Sequence, residues 1–446
     1  MRRREQQDAQ EGRPSGRTPA ARSRRPYYGW LILAIGFITV VGGYVCRNTF
    51  SVFYPAIVDE FGWGRGNTAL IFSINVLTYG LFAPFAGGLV DRFRPRYVLA
   101  AGAVIMGLGV ALCSLATEKW QFYLLYGVVA SIGLSVAGWT PVVALVGNWF
   151  MRRRALSMGI LGAGFGTSLV SAFAAQYLIS SFGWRTAYVF VGAFAAAIIA
   201  PLALLFVRRH PSEKGLYPDG ISAEENQRLA VAREGDAGLT VWNRTEWTLG
   251  RAAHTHQFWL LFLTAFLVMG IVEQIAIAHQ VYFYRDAGYD ALTAAGFYSV
   301  FGVCFVLGNL SGSISDRIGR ERFTIPACLI AAAAASLLFF MHDTSQPWLP
   351  PLFAATFGLS LGSVPCVYYA AVGDLFHGRH YGRIIGMMVL GFALGGTLSP
   401  WLAGYLYDTS GSYTTTFVLL VASMLATALL MWLVAPRKLN PVGHSR

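Results

Sequence analysis

Gly312-Ser313-Ile314-Ser315-Asp316-Arg317-Ile318-Gly319-Arg320-Glu321-Arg322 is a short basic break between two long apolar runs, and the chain contains such a break twice. Its partner is Gly87-Gly88-Leu89-Val90-Asp91-Arg92-Phe93-Arg94-Pro95-Arg96, with Asp91 and Asp316 225 positions apart. Val146-Gly147-Asn148-Trp149-Phe150 answers to Val372-Gly373-Asp374-Leu375-Phe376 at an offset of 226. The run 154–166 answers to 383–395 at 229, with Arg154, Met158, Leu161, Gly162 and Gly166 recurring as Arg383, Met387, Leu390, Gly391 and Gly395. Three matches at nearly one offset read as an internal duplication. In a membrane chain such duplication implies two bundles rocking about a site near the midplane.

The bulk composition agrees with a membrane chain. Of 446 residues, 55% are hydrophobic and 13% charged, and the mean hydropathy is +0.51. Soluble domains run nearer a quarter charged, so a soluble enzyme, a disordered chain and a disulfide-stapled secreted domain are all excluded. A bilayer-spanning helix takes about 20 mostly apolar residues. Apolar runs between charged breaks give twelve candidates: 28–54, 67–90, 97–116, 121–147, 155–180, 185–207, 257–284, 292–315, 323–341, 350–373, 384–406 and 413–435. The expected fold is an all-α membrane protein with twelve transmembrane helices in two six-helix, pseudo-symmetric bundles. Residues 27–207 form the first bundle and 257–435 the second. A cytoplasmic linker, 208–256, joins them, and Ser222-Ala223-Glu224-Glu225 within it has the pattern of a helix-starting capping box. Residues 1–26 and 436–446 are expected as cytoplasmic tails, the first disordered and without a cleavable leader.

The net charge of +12 resembles a nucleic-acid signature until the basic residues are placed. Of 34 Lys and Arg, 29 fall in the termini and the even-numbered connections. That bias puts both termini in the cytoplasm, in a cell inner membrane, and argues against a nucleic-acid partner. The cysteines Cys46, Cys113, Cys304, Cys328 and Cys366 all lie in apolar runs without a Cys-x-x-Cys pair and read as packing residues. No Walker loop, His-Glu-x-x-His or Cys/His cluster occurs, so no cofactor or metal is expected. Gly162-Ala163-Gly164-Phe165-Gly166 has dinucleotide-loop-like spacing but sits mid-span and reads as close helix packing.

The Gly-x-x-x-Asp-Arg-x-Gly-Arg-x-Arg pattern, complete at 312–322 and with Arg94 in place of its Gly at 87–96, resembles the signature loop of the major facilitator superfamily. Trp149-Phe150-Met151-Arg152-Arg153-Arg154-Ala155-Leu156-Ser157-Met158-Gly159 resembles the fifth-helix entry motif of its monocarboxylate-porter branch, which includes oxalate/formate exchangers. Tyr28-Gly29-Trp30 partly resembles that branch's first-helix motif, without the preceding Asp-Gly. The resemblance covers nearly all of the chain outside the tails and linker. It implies that helices one, four, seven and ten line a central cavity. It also implies that Asp91, Arg92, Asp316, Arg317 and Arg320 form a conformational latch; the alternative is that these charges only anchor topology.

A charge inside a span costs about 2.5–3.5 kcal/mol on insertion scales and is a functional candidate by default. Span 1 carries Arg47 and then Asn48; span 7 carries Glu273, Gln274 and His279. Arg47 and Glu273 are separated by 226 positions, the repeat offset, and are expected to face each other across the pathway. At 1.5 Å per residue Arg47 lies roughly 28 Å from the start of its helix, in the outer half. The resemblance implies a first-helix Lys near this place that receives the substrate carboxylate; Arg47 matches it, and a one-residue slip would select Asn48. An Arg fork binds a carboxylate bidentately and stays charged. Glu273 is the expected proton-coupling carboxylate, because burying an ionised carboxylate is costly unless it pairs or takes a proton. A permanent Arg47–Glu273 pair that only holds helices together is the alternative.

His279 is a candidate relay or a satisfied structural polar group. Trp139, Tyr368 and Tyr369 are candidate lining residues or aromatic packing, and only one of the adjacent tyrosines can face inward. Members of the branch carry an Asp and an Arg on the eighth helix. Here Asn309 stands at the Arg position without the Asp, which disfavours a small dicarboxylate.

The expected function is a non-enzymatic, proton-coupled secondary transporter that imports a small organic anion, monocarboxylate-like, or a related metabolite. Its partners are that substrate, protons and the bilayer, and it acts as a monomer. An exporter of drugs or siderophores by proton antiport is the first rival, disfavoured because 155–180 lacks the proline of the exporters' fifth-helix motif. A non-transporting membrane sensor is the second.

Overall fold

A computed structural model describes residues 27–150, 154–220, 247–376 and 381–434. The tails, most of the linker with its Ser222–Glu225 box, and the basic run 151–153 lie outside the described residues. Among the described residues eleven helices are long and apolar enough to cross a membrane. One of them, Leu156–Phe206, is 51 residues long and breaks at Gly183, where φ is +79° and ψ 156°. That backbone region is open essentially only to glycine. The break makes two spans of one, and the count reaches twelve.

In chain order the spans are α1 (Tyr28–Phe61), α2 (Arg65–Arg92), α3 (Pro95–Leu115), α4 (Lys119–Trp149), α5 and α6 on either side of Gly183 within Arg154–Phe206, α7 (His256–Asp286), α8 (Ala291–Ile314), α9 (Arg320–Phe340), α10 (Leu349–Leu375), α11 (Tyr381–Ser410) and α12 (Thr414–Val434). The first six form one bundle and the last six the other.

Most boundaries fall within a few residues of those expected; α1 is the exception, running seven residues past 54 to Phe61. It bends at Thr49 and carries Pro55 inside its second segment, Phe50–Phe61. Side chains supply donors around the bend. Thr49 Oγ1 donates to the Val45 carbonyl at 2.7 Å, and the Tyr126 hydroxyl reaches the carbonyls of Cys46 (3.1 Å) and Arg47 (2.8 Å). These donors add to the backbone bond that the Thr49 amide still makes to the Val45 carbonyl (3.2 Å), and such additional partners help a bent helix persist within a bilayer.

The bundles meet where α2 runs along α11 and α5 along α8. Small residues set both seams. A Cβ on Gly404 would come within 2.8 Å of the Gly66 backbone, and one on Gly166 within 2.7 Å of Val306. Close backbone approach of this kind is how helices associate where lipid removes the hydrophobic drive. The α5–α8 seam is also pinned by Ser299, whose hydroxyl donates to the Val170 carbonyl (3.0 Å) and accepts from the Phe173 amide (3.2 Å).

Candidate functional site: a bridged cation and carboxylate between the two bundles

Arg47 and Glu273 are brought together, but not as a direct ion pair. Gln274 stands between them. Arg47 Nη2 donates to Gln274 Oε1 at 3.0 Å. Gln274 Nε2 donates to the Met269 carbonyl at 3.1 Å and to Glu273 Oε1 at 3.4 Å. All three side chains are buried, with 3%, 6% and 1% exposure for Arg47, Glu273 and Gln274. The amide's orientation follows from the chemistry: guanidinium only donates and a carbonyl only accepts.

Local backbone geometry sets up this arrangement. Ala265–Val272 is a π-helical stretch of α7, and the Glu273 amide closes it onto the Val268 carbonyl five residues back. A widened turn inserts a residue into the helix and re-aims the side chains beyond it, and such turns are frequent at functional sites. Glu273 and Gln274 are the first two residues after it. Opposite, Arg47 is enclosed by aromatic rings: its Cζ lies 5.4 Å from the centroids of Phe72 and Tyr79 and 5.9 Å from Phe392. Ring faces attract a cation and exclude competing water. Tyr79 and Tyr44 share a hydrogen bond at 3.2 Å, extending the aromatic wall along α1.

The remaining expected residues are distributed around this centre. Asn48 turns toward α5, donating to Ser168 Oγ at 2.8 Å, so Arg47 rather than Asn48 meets α7. Asn309, half-buried, stands at the α5–α8 seam, where its Oδ1 would lie 3.4 Å from a Cβ on Gly162. Tyr368 is buried and its hydroxyl donates to the Leu261 carbonyl of α7 (3.1 Å), whereas Tyr369 is half-buried. Trp139 is also half-buried and follows the break in α4 at Gly138.

His279 lies apart from Arg47, in the face opposite the one where α1 begins. It is fully buried. Its Nε2 donates to the Pro400 carbonyl at 2.8 Å, which leaves Nδ1 to accept from the Tyr413 hydroxyl at 2.9 Å. The neighbouring cluster is centred on Arg65, whose fork takes Asp286 bidentately at 2.6 and 2.8 Å. The amides of Arg65 and Gly66 donate to the two carboxylate oxygens of Asp408, at 2.8 and 2.7 Å. The Arg65 guanidinium stacks on Tyr407 (3.7 Å) and Tyr282 (4.0 Å). Arg285 adds a pair to Asp59 at 3.0 Å. Arg65 and Asp59 belong to the first bundle, Asp286, Asp408 and Arg285 to the second, so these contacts hold that face closed.

Toward the other face, fewer of the described glycines meet the opposite bundle. A Cβ on Gly80 of α2 would still touch Ala393 of α11 at 2.5 Å, but one on Gly88 or Gly386 further along would meet nothing within 4 Å. On α5, Gly162 still faces Asn309, and a Cβ on Gly159 would meet nothing within 4 Å. Among the described residues the bundles are joined at the Arg65 end, and the close glycine contacts between them reach as far as Gly80 and Gly162.

Of the expected latch, the side chains of Asp91 and Asp316 lie outside the described residues. Arg320 Nε donates to Asp374 at 2.9 Å and its Nη1 to Ser315 at 2.7 Å, joining α9 to the end of α10 inside one bundle. Arg92 and Arg317 are exposed. Nearby, the first-helix and fifth-helix motifs pack on one another: the Tyr27 hydroxyl donates to the Trp149 carbonyl at 2.9 Å, and Trp30 meets Phe150 edge-on at 5.2 Å.

Sequence reasoning missed Gln274 as a site residue, and Arg65 with its acidic partners. A usable signal existed for the second: Asp59 and Arg285, of opposite charge, are 226 positions apart, the same offset that singled out Arg47 and Glu273.

Similarities to known proteins fit this architecture. The chain is 26% identical over 424 residues to monocarboxylate transporter 12 of Rattus norvegicus, covering 91% of this chain and 85% of that protein. It is 24% identical over 427 residues to monocarboxylate transporter 2 of Homo sapiens, covering 93% and 86%. A bacterial homolog of the human lysosomal transporter Spinster, solved inward-facing and unoccupied, superposes with a TM-score of 0.61 at 19% identity, over 94% of this chain and 98% of that one. The family model described as Major Facilitator Superfamily matches residues 35–371, and with two six-helix bundles around a buried polar centre the chain is a multi-pass membrane transporter belonging to the major facilitator superfamily.

Proposed function

We propose that this transporter imports a small organic anion of the monocarboxylate type, or a related metabolite, together with a proton, by alternating access. The observation that carries this reading is the Arg47–Gln274–Glu273 chain of hydrogen bonds between α1 and α7. A guanidinium in an aromatic cage is suited to one carboxylate, and the names of the relatives agree. Asn309 in place of a second cation fits a monoanion better than a dianion. Asn48, Trp139, Tyr368 and Tyr369 shape the rest of the site.

In this mechanism the carboxylate pairs with Arg47 and the proton goes to Glu273. Moving one uncompensated charge against the membrane potential costs about 2.3 kcal/mol per 100 mV, so a co-moving proton removes that cost for a monoanion. The loaded bundles then rock about the midplane. The Arg65 cluster breaks and re-forms in each cycle, and the Asp–Arg loops act as latch on the other face. Protonating His279 at Nδ1 would cost its bond from Tyr413, so His279 links proton binding to opening of the Arg65 face. On this reading the protein works as a monomer in the cell inner membrane with both termini cytoplasmic, the orientation its basic residues favour.

Purified protein in liposomes, given labelled lactate or benzoate and an imposed pH gradient, tests the proposal. Proton-driven accumulation supports it. Movement of the anion only against the proton flow favours antiport, and no movement of any anion at either pH overturns transport of this class.

A further inference from the structure

We propose that Gln274 is a placeholder for the substrate carboxylate on Arg47 and an amide switch that ties carboxylate binding to proton binding. This rests on the reading of Arg47 as the carboxylate site. The Nε–H and Nη2–H of an arginine form one edge that takes a carboxylate side-on. In Arg47, Gln274 Oε1 occupies the Nη2 position of that edge, whereas Nε is buried without a hydrogen-bond partner. One amide oxygen fills half of a site built for two oxygens.

A carboxylate that docks on the edge satisfies Nε and replaces Gln274 at Nη2. The displaced Oε1 is then a buried acceptor without a donor, which is unfavourable. Its Nε2 remains anchored to the Met269 carbonyl and adjoins Glu273. If Glu273 binds a proton from solution, its new O–H donates to Gln274 Oε1. The amide oxygen therefore has two alternative donors, the Arg47 guanidinium and protonated Glu273, and substrate removes the first. Carboxylate and proton stabilise each other's binding through the amide, and the net charge of the loaded site is unchanged.

The surroundings leave this switch few competitors. Among the described residues, the charged or titratable groups facing Glu273 are Arg47 of α1 and Tyr298 of α8. From α11, Gly396 makes room for the Gln274 stem: a Cβ there would lie 2.9 Å from Gln274 Cγ.

The test is equilibrium binding of labelled benzoate and lactate to the full-length protein, at pH 5.5 and 7.5, for wild type, Gln274→Leu, Gln274→Met, Gln274→Glu and Arg47→Gln. Leu and Met free the Arg47 edge and remove the switch. Affinity at pH 7.5 is expected to rise at least 3-fold, and its dependence on pH to shrink at least 3-fold. Glu places a competing carboxylate on the edge and is expected to weaken binding at least 10-fold. A merely structural Gln274 would not move Leu and Glu in opposite directions, and thermal melting confirms that each variant is folded; Met is the fallback for an unstable Leu variant. Wild-type-like affinity and pH dependence in Leu or Met and in Glu overturns the switch while leaving Arg47 as the site. Failure of wild type to bind either anion, or unaltered binding by Arg47→Gln, overturns the functional reading and the switch with it.

Discussion

Arg47 and Gln274 are 227 positions apart in the chain and 3.0 Å apart in space. They belong to the leading helices of the two bundles, α1 and α7, and their hydrogen bond carries the polar link from Arg47 on to Glu273. The cation and the carboxylate are thus held in one network through the Gln274 amide without being locked into a direct pair.

Glu273→Gln should separate anion movement from proton movement. Labelled benzoate is expected to exchange across the membrane within about 3-fold of wild type, while acceleration by an imposed pH gradient is lost. Removing the group that carries the proton removes the pH response rather than the binding. Retained proton-driven accumulation would assign the proton elsewhere.

Arg65→Ala should destabilise the closed face. The variant loses a bidentate pair to Asp286 and stacking on Tyr407 and Tyr282. Charge-assisted hydrogen bonds contribute about 1.5–3 kcal/mol each, so the balance between states should move by at least about tenfold, with 1.4 kcal/mol per decade. Ser73 is fully buried at the α2–α11 seam. In a background whose five native cysteines are replaced by Ala, maleimide labelling of Ser73→Cys should be correspondingly faster with Arg65→Ala.

Gly404→Val tests the same seam by bulk instead of charge. A Cβ at Gly404 would lie 2.8 Å from the Arg65 carbonyl carbon and from two atoms of the Gly66 backbone, none of which can rotate away. Labelling of Ser73→Cys should increase here too, with the Arg65 side chain intact. Unchanged labelling would place the rocking interface elsewhere.

Tyr126→Phe removes one hydroxyl and keeps the ring. It deprives the Cys46 and Arg47 carbonyls of their shared donor and should cost about 1 kcal/mol, or about 1–2 °C in Tm. Because the bend in α1 positions Arg47, anion affinity is expected to weaken along with stability.

Asp290 offers a pH test outside the membrane. It caps α8 by accepting from the amides of Leu292 and Thr293, both at 3.0 Å. Hydrogen bonding from the Thr293 side chain and backbone holds its carboxyl below the usual carboxylate range. A folded-state value below the unfolded one stabilises at pH above the unfolded pKa of about 3.9, and that stabilisation disappears as pH falls through the folded value. The Tm difference between wild type and Asp290→Ala should be constant from pH 5 to 7 and shrink below about pH 4.

The sequence alone determined the two-bundle, twelve-span architecture, because span length, apolar runs and the duplicated loop are local or periodic properties. It also selected Arg47 and Glu273, since an intramembrane charge is rare enough to stand out by residue type. Even the Gly183 break was legible as a gap between runs 155–180 and 185–207. The tertiary structure alone decided how those charges meet. Gln274 owes its place to a π-helical turn in α7, and nothing in the composition of Ala265–Val272 announces one extra residue per turn. The closed face required knowing that Arg65 of one bundle reaches Asp286 and Asp408 of the other. Asp59 and Arg285 show why that was nearly legible: two similar halves facing each other bring equivalent positions together, so residues one repeat apart in sequence become neighbours. Which of those equivalent positions touch is set by the angle between the bundles, a property of packing between distant segments that no local stretch of chain encodes.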